Sequence, residues 1–205
     1  MNKIYFDTIK STHIYAKELE KKEDGLAIIT NMQTGGIGTN GRTWYTGYGK
    51  NIAMTMVFTP DCNVSNLEGL TIEIAEVMKE TIYKLYKIKL DIKKPNDLML
   101  NGKKIGGILT EIRSVGDKVL FLLISIGFNV LETDFDDDTS LIATSLLKEN
   151  LNKQNIEFDK EDIIDMFIRK VENNIISRKR KPISSTPYFA RTPDSASSTA
   201  VLRPV

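Results

Sequence analysis

The chain has 205 residues, 41% of them hydrophobic and 27% charged, which predicts a globular domain rather than a disordered or fibrous chain. Its 28 basic and 27 acidic residues leave a net charge of only +1, which argues against a nucleic-acid-binding surface. The single cysteine, Cys62, excludes a disulfide bond within the chain and indicates a free thiol in a reducing cytoplasm. The first residues lack the apolar core of a signal peptide, and the longest apolar run, Val119 to Val130, is too short to cross a membrane.

The first half of the chain alternates between strand and helix patterns. Ser11 and Thr12 offer N-cap oxygens to a helix that extends to about Lys22. Ser65 and Glu68 have the spacing of a capping box, and apolar residues then repeat at helical spacing as far as Leu85. The strands predicted around these helices are Ile4–Phe6, Leu26–Met32 and Asn51–Phe58, the last with Ile52, Met54, Met56 and Phe58 on one face.

The second half of the chain predicts antiparallel strands followed by helices. Asn101 and Gly102 form a hairpin-tip sequence, and the apolar pattern of Lys118–Val130 is typical of a strand buried on both faces. Further predicted elements are strands at Ile88–Ile92, Leu98–Leu100 and Lys103–Arg113, a helix from about Ser140, and a last helix from an Asp159 cap to about Arg178. Together the elements indicate an α+β fold with a mixed, mainly antiparallel sheet flanked by helices.

Residues 183–205 differ from the rest of the chain. They contain five Ser, three Thr and three Pro and have no hydrophobic period. This composition predicts a disordered or non-native tail. The expected folded domain is therefore residues 1–182.

Four segments place glycine or charged residues in loops or at strand ends. The loop from Gln33 to Asn51 has backbone N–H groups free of side-chain cover, which suit an anionic ligand, although glycine-rich loops are as often only flexible connections. Gly106 and Gly107 interrupt a strand, which indicates either a β-bulge or a backbone close to a ligand, with Lys104 expected on the face of Gly106. The other two segments are Lys93–Asp97 (KKPND) and Ser125–Asn129 (SIGFN).

The order of these segments resembles the catalytic domain of biotin–protein ligases. The motifs that carry the resemblance are GRxW at Gly41–Trp44, KxPND at Lys93–Asp97, GKKxGGIL at Gly102–Leu109 and GxN at Gly127–Asn129. Ser11–His13 and Ala143–Leu146 also follow the family's order, so the resemblance covers about Ile4 to Arg178. It implies a catalytic domain of the biotin/lipoate ligase type, related to class II aminoacyl-tRNA synthetases.

The resemblance also implies a reaction and its partners. ATP, accompanied by Mg²⁺, would activate biotin as biotinyl-5′-AMP, and a lysine of a biotin carboxyl carrier protein, a carboxylase subunit, would receive the biotinyl group. Mg²⁺ would be held largely by phosphates, without a metal site of the protein's own. The protein is expected in the cytoplasm, without nucleic-acid or membrane partners, and a homodimer is one assembly that the resemblance allows.

The family pattern assigns three sets of residues. Those with catalytic roles are Lys104, Lys93, Asp97 and Arg42. Those that bind biotin are Ser11, Thr12, His13, Gln33, Gly36, Ile37, Gly38, Thr39, Lys104, Gly107 and Gly127, with Ser11, Thr12 and Gln33 on the ureido head. Those on the nucleotide are Arg42, Trp44, Lys93, Asn96 and Asn129. The residue pattern alone favours a surface cap role for His13 over a catalytic one.

The chain departs from the family pattern at several positions. Ile37 and Thr39 stand where the loop usually has arginines, Lys94 replaces the usual tryptophan, and His13 replaces the usual asparagine. The family's N-terminal helix-turn-helix and C-terminal SH3-like barrel have no counterpart in the pattern, so a repressor role is not expected. Two alternatives stay open: a degenerate or truncated biotin-binding module that transfers poorly, and a lipoate or octanoyl ligase. The position of His13 upstream of the loop argues against the second.

Overall fold

The computed structural model of the chain describes residues 1–150, 156–179 and 198–201. The strands are β1 (Asn2–Ile9), β2 (Leu26–Gln33), β3 (Gly36–Ile37), β4 (Thr43–Trp44), β5 (Asn51–Phe58), β6 (Asp91–Lys93), β7 (Asp97–Leu100), β8 (Lys103–Val115), β9 (Lys118–Asn129) and β10 (Ser198–Val201). The helices are α1 (Thr12–Glu18), α2 (Leu70–Tyr86), α3 (Asp137–Ile142), α4 (Leu146–Asn150) and α5 (Lys160–Lys179). None of these helices is long and apolar enough to cross a membrane.

Eight of the strands form one sheet. Its order is β1-β2-β5-β9-β8-β7-β6, with β10 paired to β8. β1 and β2 are parallel, and the remaining pairs of this sheet are antiparallel. The two short strands β3 and β4 pair with each other inside the glycine-rich loop. The predicted α+β class, with a mixed and mainly antiparallel sheet, is confirmed.

Helices cover both faces of this sheet. α2 and α5 pack on one face, where the core contains the residues predicted for that face of β5: Ile52, Met54, Met56 and Phe58. α1 lies on the opposite face, where Ala16 packs with Val57 and Leu123. β5 is consequently buried along its whole length. The alternation in the sequence predicted that the first face of β5 is buried. The second face is buried because α1 folds back over it.

The start of α2 differs from the prediction. The capping box is formed by Asn63 and Asn66 on a 3₁₀ turn at Val64–Leu67, not by Ser65 and Glu68. α2 then begins at Leu70, after Gly69 with a φ of +72°. The left-handed backbone of Gly69 separates the turn from the helix, which is why the box does not cap α2.

Other boundaries are shifted by a few residues. α1 ends at Glu18 rather than Lys22, and the strand expected at Ile88–Ile92 is Asp91–Lys93. Residues Ser198–Val201 belong to the tail that was predicted to be disordered or non-native. They form a strand that pairs with β8. The remaining tail residues and the expected boundary at residue 182 lie outside the described residues, so the domain boundary stays a prediction.

The hairpin from β7 to β8 carries a β-bulge. Asn101 and Gly102 form its tip with φ angles of +50° and +79°. Leu98 pairs with Gly106, while its neighbour Met99 pairs with Lys104, so one extra residue is inserted in β8. The insertion shifts the alternation by one residue and brings the Lys104 side chain beside Gly107, not onto the face of Gly106 as predicted. The inserted residue is Ile105, so the bulge lies beside the two glycines and not at them, and the expected face of Lys104 is wrong.

We predict that Gly106→Ala lowers the free energy of unfolding by about 1–3 kcal/mol, the usual effect of overpacking. A Cβ at this position would lie 2.6 Å from Phe128 Cδ2 and 3.0 Å from the carbonyl oxygen of Gly127. Gly38→Ala is the matched control, because its Cβ would meet Arg42 O at an ordinary 3.6 Å. Urea denaturation of both variants measures the difference. Equal free energies of unfolding for the two variants would show that β8 and β9 shift to accommodate the added methyl group.

Candidate active site

A row of small residues forms the floor of a cleft on the α1 face of the sheet. Ala53, Gly127 and Gly107 are cross-strand neighbours on β5, β9 and β8. The ring of Trp44 lies directly against Gly127, where a Cβ would collide with it. Because no bulky side chain projects from this row, there is room for an aromatic ring and for an open cleft beside that ring.

The cleft encloses about 450 Å³, including its open mouth. Most of the residues predicted for the site line it: Ser11, Thr12, His13, Gln33, Ile37, Gly38, Thr39, Trp44, Asn96, Lys104, Gly107 and Gly127. The structure therefore brings together segments that are more than a hundred residues apart in the chain.

Five predicted residues are not part of the lining: Gly36, Arg42, Lys93, Asp97 and Asn129. Gly36 is buried behind the wall, where a Cβ would lie 2.7 Å from Gln33 Nε2. Arg42 and Lys93 are exposed at the surface. Asn129 is buried and donates from Nδ2 to Thr144 O at 3.0 Å. The lining residues that sequence reasoning missed are Met54, Ile108, Leu109, Ser125 and Ile126.

One end of the cleft is cationic. Lys104 Nζ lies 2.6 Å from Asp97 Oδ1 and 5.6 Å from the centroid of the Trp44 ring. The backbone of this lysine is fixed from the other side, because the Thr144 N–H donates to Lys104 O at 2.9 Å. Its neighbour Lys103 points elsewhere and donates from Nζ to Ser140 O at 2.8 Å. Lys104 thus offers a partly exposed ammonium group to the cleft.

Another part of the lining is neutral and polar. The backbone N–H and the hydroxyl of Thr12 both donate to Gln33 Oε1, at 2.9 and 3.2 Å. Ser11 caps α1 and accepts from the Ile14 N–H at 3.4 Å. Gln33 Nε2 donates to Thr46 Oγ1 only at 3.5 Å, the long limit of a hydrogen bond, which leaves the amide hydrogens available to a ligand.

The Trp44 indole carries a second group available to a ligand. Its Nε1 is buried and has no hydrogen-bond partner among the described residues. A buried N–H group without a partner costs about 1–3 kcal/mol. A ligand with an acceptor atom in this part of the cleft would remove that penalty.

His13 is buried, so the expectation of a surface cap residue is wrong. It is only 4% exposed and lies between two polar residues of the sheet. Its Nδ1 is 2.8 Å from Ser125 Oγ, and its Nε2 is 2.9 Å from Glu111 Oε2. The packing of α1 against the sheet forces the side chain inward. Neither Ser125 nor Glu111 was predicted as part of the site.

Glu111 is an ionised carboxylate in the interior. It is 3% exposed, and Lys17 Nζ lies 2.9 Å from its Oε1. The hydrogen bond with His13 and then that with Lys17 lower the pKa of Glu111 to about 2, although burial acts in the opposite direction. The carboxylate therefore keeps its negative charge over the whole neutral and mildly acidic range.

The lowered pKa of Glu111 predicts a specific loss of stability in acid. Because the folded-state value of about 2 lies below the ordinary value of 4.5, the contribution is complete above pH 4.5 and is lost as the pH falls towards 2. The shift corresponds to about 3 kcal/mol of unfolding free energy. Urea denaturation at a series of pH values should show this loss, and Glu111→Gln should remove it.

The exposed Glu20 provides a control for that measurement, and Glu20→Gln should leave the acid-dependent loss unchanged. Parallel stability curves for the wild type and Glu111→Gln between pH 4.5 and 2 would contradict the assignment.

Comparison with known proteins places this architecture in one family. The model of the biotin/lipoate A/B protein ligase family matches residues 5–129. The bifunctional ligase/repressor BirA of Bacillus subtilis is 37% identical over 147 residues, which are 70% of this chain and 45% of that protein. The biotin–[acetyl-CoA-carboxylase] ligase of Mycobacterium tuberculosis is 27% identical over 174 residues, 82% of this chain and 61% of that protein.

Solved structures share the fold. The biotin protein ligase of Aquifex aeolicus, in complex with biotin and ATP, superposes with a TM-score of 0.72 at 23% identity, over 88% of this chain and 72% of that one. The Leishmania major enzyme in complex with biotinyl-5-AMP gives 0.65 at 23% identity, over 95% of this chain and 87% of that one. The chain spans about half the length of the BirA proteins that it matches. Its family model covers more than half of its residues, and the chain therefore belongs to the biotin/lipoate A/B protein ligase family.

Proposed function

We propose that the chain is the catalytic part of an ATP-dependent biotin–protein ligase. The observation that carries the proposal is that a single cleft joins the neutral polar group of Thr12 and Gln33 to the ammonium group of Lys104. A ligand with an uncharged polar head and an anionic tail would satisfy both. Biotin has this form, with a ureido ring at one end and a carboxylate at the other.

The proposed reaction begins with two anions that repel each other. The biotin carboxylate attacks the α-phosphorus of ATP, the bond to the β-phosphate oxygen breaks, and pyrophosphate leaves with the electron pair. Lys104 would lie between the carboxylate and the α-phosphate and stabilise the charge that builds up there. The amine of a carrier lysine then attacks the acyl carbon of biotinyl-5′-AMP, and AMP leaves after a proton is lost from the nitrogen.

The remaining residues have proposed roles around this centre. Arg42 and Lys93 are exposed cations that could meet the nucleotide phosphates, and Trp44 would offer its ring and its unpaired N–H to the nucleotide. Asn96 lines the cleft, and its Nδ2 is held by Ile108 O at 3.0 Å. Asn129 would act indirectly, by holding Thr144 and with it the backbone of Lys104.

Mg²⁺ is proposed to arrive with ATP and to be held mainly by phosphate oxygens. No group of three or more His, Cys, Asp or Glu side chains in the described part of the chain is arranged to hold a metal ion. Asp97, beside Lys104, is a carboxylate that such an ion could contact.

The relatives support the choice of substrates and partner. The Aquifex aeolicus structure contains biotin and ATP, and the Mycobacterium tuberculosis relative is named for the carboxylase that it modifies. We propose accordingly that the acceptor is a biotin carboxyl carrier protein and that the reaction takes place in the cytoplasm, because the single cysteine of the chain, Cys62, cannot form a disulfide bond within it. A homodimer stays a prediction.

The direct test is a transfer assay with ATP, Mg²⁺, labelled biotin and a carrier domain, run beside a titration of biotin binding. Label on the carrier supports the ligase. Binding without transfer selects the alternative of a binding module, and transfer of octanoate or lipoate instead of biotin selects the other branch of the family. A matched reaction without ATP controls for chemical labelling of the carrier.

Lys104→Ala should lower the rate of biotinyl-5′-AMP formation by at least roughly 10- to 100-fold, the value of one lost charge-assisted hydrogen bond. Lys103→Ala is the matched control, because the adjacent ammonium group bonds to Ser140 O rather than to the cleft. Labelled adenylate is quantified after a single turnover, and thermal unfolding of both variants checks the fold. If the two variants form adenylate at the same rate, Lys104 does not act on the reacting groups.

A further inference from the structure

A continuous file of buried polar groups runs from the cleft wall into the interior. Thr12 Oγ1 is 2.9 Å from Thr55 Oγ1, which is 2.8 Å from Ser125 Oγ. The file continues through the bonds of His13 to Ser125 and Glu111 described above. We refer to Thr12, Thr55 and Ser125 as the hydroxyl file. All its members are at most 8% exposed, so water does not compete for these bonds.

The donor in each hydrogen bond of the hydroxyl file follows from the number of hydrogens that each hydroxyl group carries. Thr55 donates its only hydroxyl hydrogen to Thr12. In the bond between Thr55 and Ser125 the donor must therefore be Ser125, whose own single hydrogen is then committed. The remaining bond, between Ser125 and His13, has no hydroxyl hydrogen left, so it requires a hydrogen on His13 Nδ1.

The other ring nitrogen faces the same requirement. His13 Nε2 lies 2.9 Å from Glu111 Oε2. An ionised carboxylate can only accept, so Nε2 must also carry a hydrogen. An imidazole ring with hydrogens on both nitrogens is the imidazolium cation.

We propose that His13 is held as a buried imidazolium ion and is a positioning residue, which orients the hydroxyl file so that every hydroxyl donates towards Gln33. At the cleft end, Thr12 then donates both its N–H and its hydroxyl to Gln33 Oε1. The amide oxygen is held inward and the Nε2 hydrogens are left for the ligand. If the proposed function is correct, these hydrogens meet the carbonyl oxygen of a urea, an acceptor, and disfavour a cationic head group.

A neutral His13 would have the opposite effect. It would keep its one hydrogen on Nε2 for Glu111, and Ser125 would have to donate to the bare Nδ1. Thr55 would then donate to Ser125 and Thr12 to Thr55, so that Gln33 Oε1 would keep only the bond from the backbone of Thr12. The protonation of one side chain thus determines how firmly the ligand-facing amide is oriented.

The charges around His13 are consistent with a cation. Glu111 from β8 contacts it directly, and Lys17 from α1 contacts the other oxygen of the same carboxylate. β5 and β9 contribute the hydroxyls of Thr55 and Ser125, which are uncharged. Lys17 is half exposed, so solvent screens its repulsion of the imidazolium more than it screens the buried carboxylate.

The chain is suited to a direct test because it contains a single histidine. The full chain, labelled with ¹⁵N-histidine and without ligand, is examined by two-bond ¹H–¹⁵N NMR at about pH 7.5, where a free imidazole is mostly neutral. We expect two protonated ring nitrogens. A spectrum with one bare nitrogen would overturn the proposal. Because no ligand is present, this result does not depend on the proposed function.

Two variants separate the role of the carboxylate from that of the neighbouring lysine. Glu111→Gln should yield a neutral ring with one bare nitrogen, since the partner charge is gone. Lys17→Met should keep both nitrogens protonated, since it removes a repelling cation. A ring that remains imidazolium in Glu111→Gln, or becomes neutral in Lys17→Met, would contradict the assignment of Glu111 as the residue that holds the charge.

Ligand binding provides the functional measurement. In Glu111→Gln, titration with biotin should give roughly 5- to 10-fold weaker binding at about pH 7.5, because the orientation of one hydrogen-bonding group is lost. If Glu111→Gln binds biotin as tightly as the wild type, His13 does not orient the Gln33 amide. If wild type does not bind biotin at all, the proposed function fails while the NMR result stands.

Discussion

The cleft depends on one steric constraint, the near absence of side chains along a single row of the sheet. Ala53, Gly127 and Gly107 lie side by side because the register of three antiparallel strands brings them to the same level. A methyl group on Gly127 would occupy the position of the Trp44 ring. Trp44 in turn forms one wall of the cleft and lies under the Lys104 ammonium group. The positions of the aromatic wall and of the cation therefore both follow from the register of β5, β9 and β8.

The same register also places two hydroxyl groups in the interior, next to the row of small residues, where they need hydrogen-bond partners. On the α1 face, the next positions along β5 and β9 are Thr55 and Ser125, which are direct cross-strand partners. Once α1 covers them, their hydroxyl groups need partners inside the protein. His13, on the first turn of α1, supplies a partner to Ser125 and bonds to Glu111 on β8. The polar residues are thus a connected network in which each bond constrains the direction of the next, up to the wall of the cleft.

The sequence predicted the fold well because its signals are local and periodic. The alternation of β5 and the Asn101-Gly102 tip led to correct strands, and the pair of glycines lies beside the bulge of β8. The sequence did not reveal that the bulge moves Lys104 beside Gly107, because the position of the inserted residue depends on pairing with β7. Glu111 was not predicted, and Ser125 was named only as the first residue of a candidate segment, because the sequence does not show which residue each of them contacts. A buried polar group needs a partner, so such residues are a usable signal, but the partner His13 lies about a hundred residues away and only the tertiary structure identifies it.

The two ends of the cleft are built with different rigidity, and the difference suits the proposed chemistry. The polar end is fixed by buried, short hydrogen bonds that involve both nitrogens of His13, so it can discriminate among head groups by the direction of donors and acceptors. The cationic end consists of Lys104 and Asp97, whose side chains are about a quarter to a third exposed. Because water reaches this ion pair, the two side chains can separate at a small cost in free energy. Under the proposed function, Lys104 would leave Asp97 and follow the charge as it moves from the biotin carboxylate to the phosphate. Specificity would then be a property of the buried network, while reactivity would belong to a side chain that changes partners.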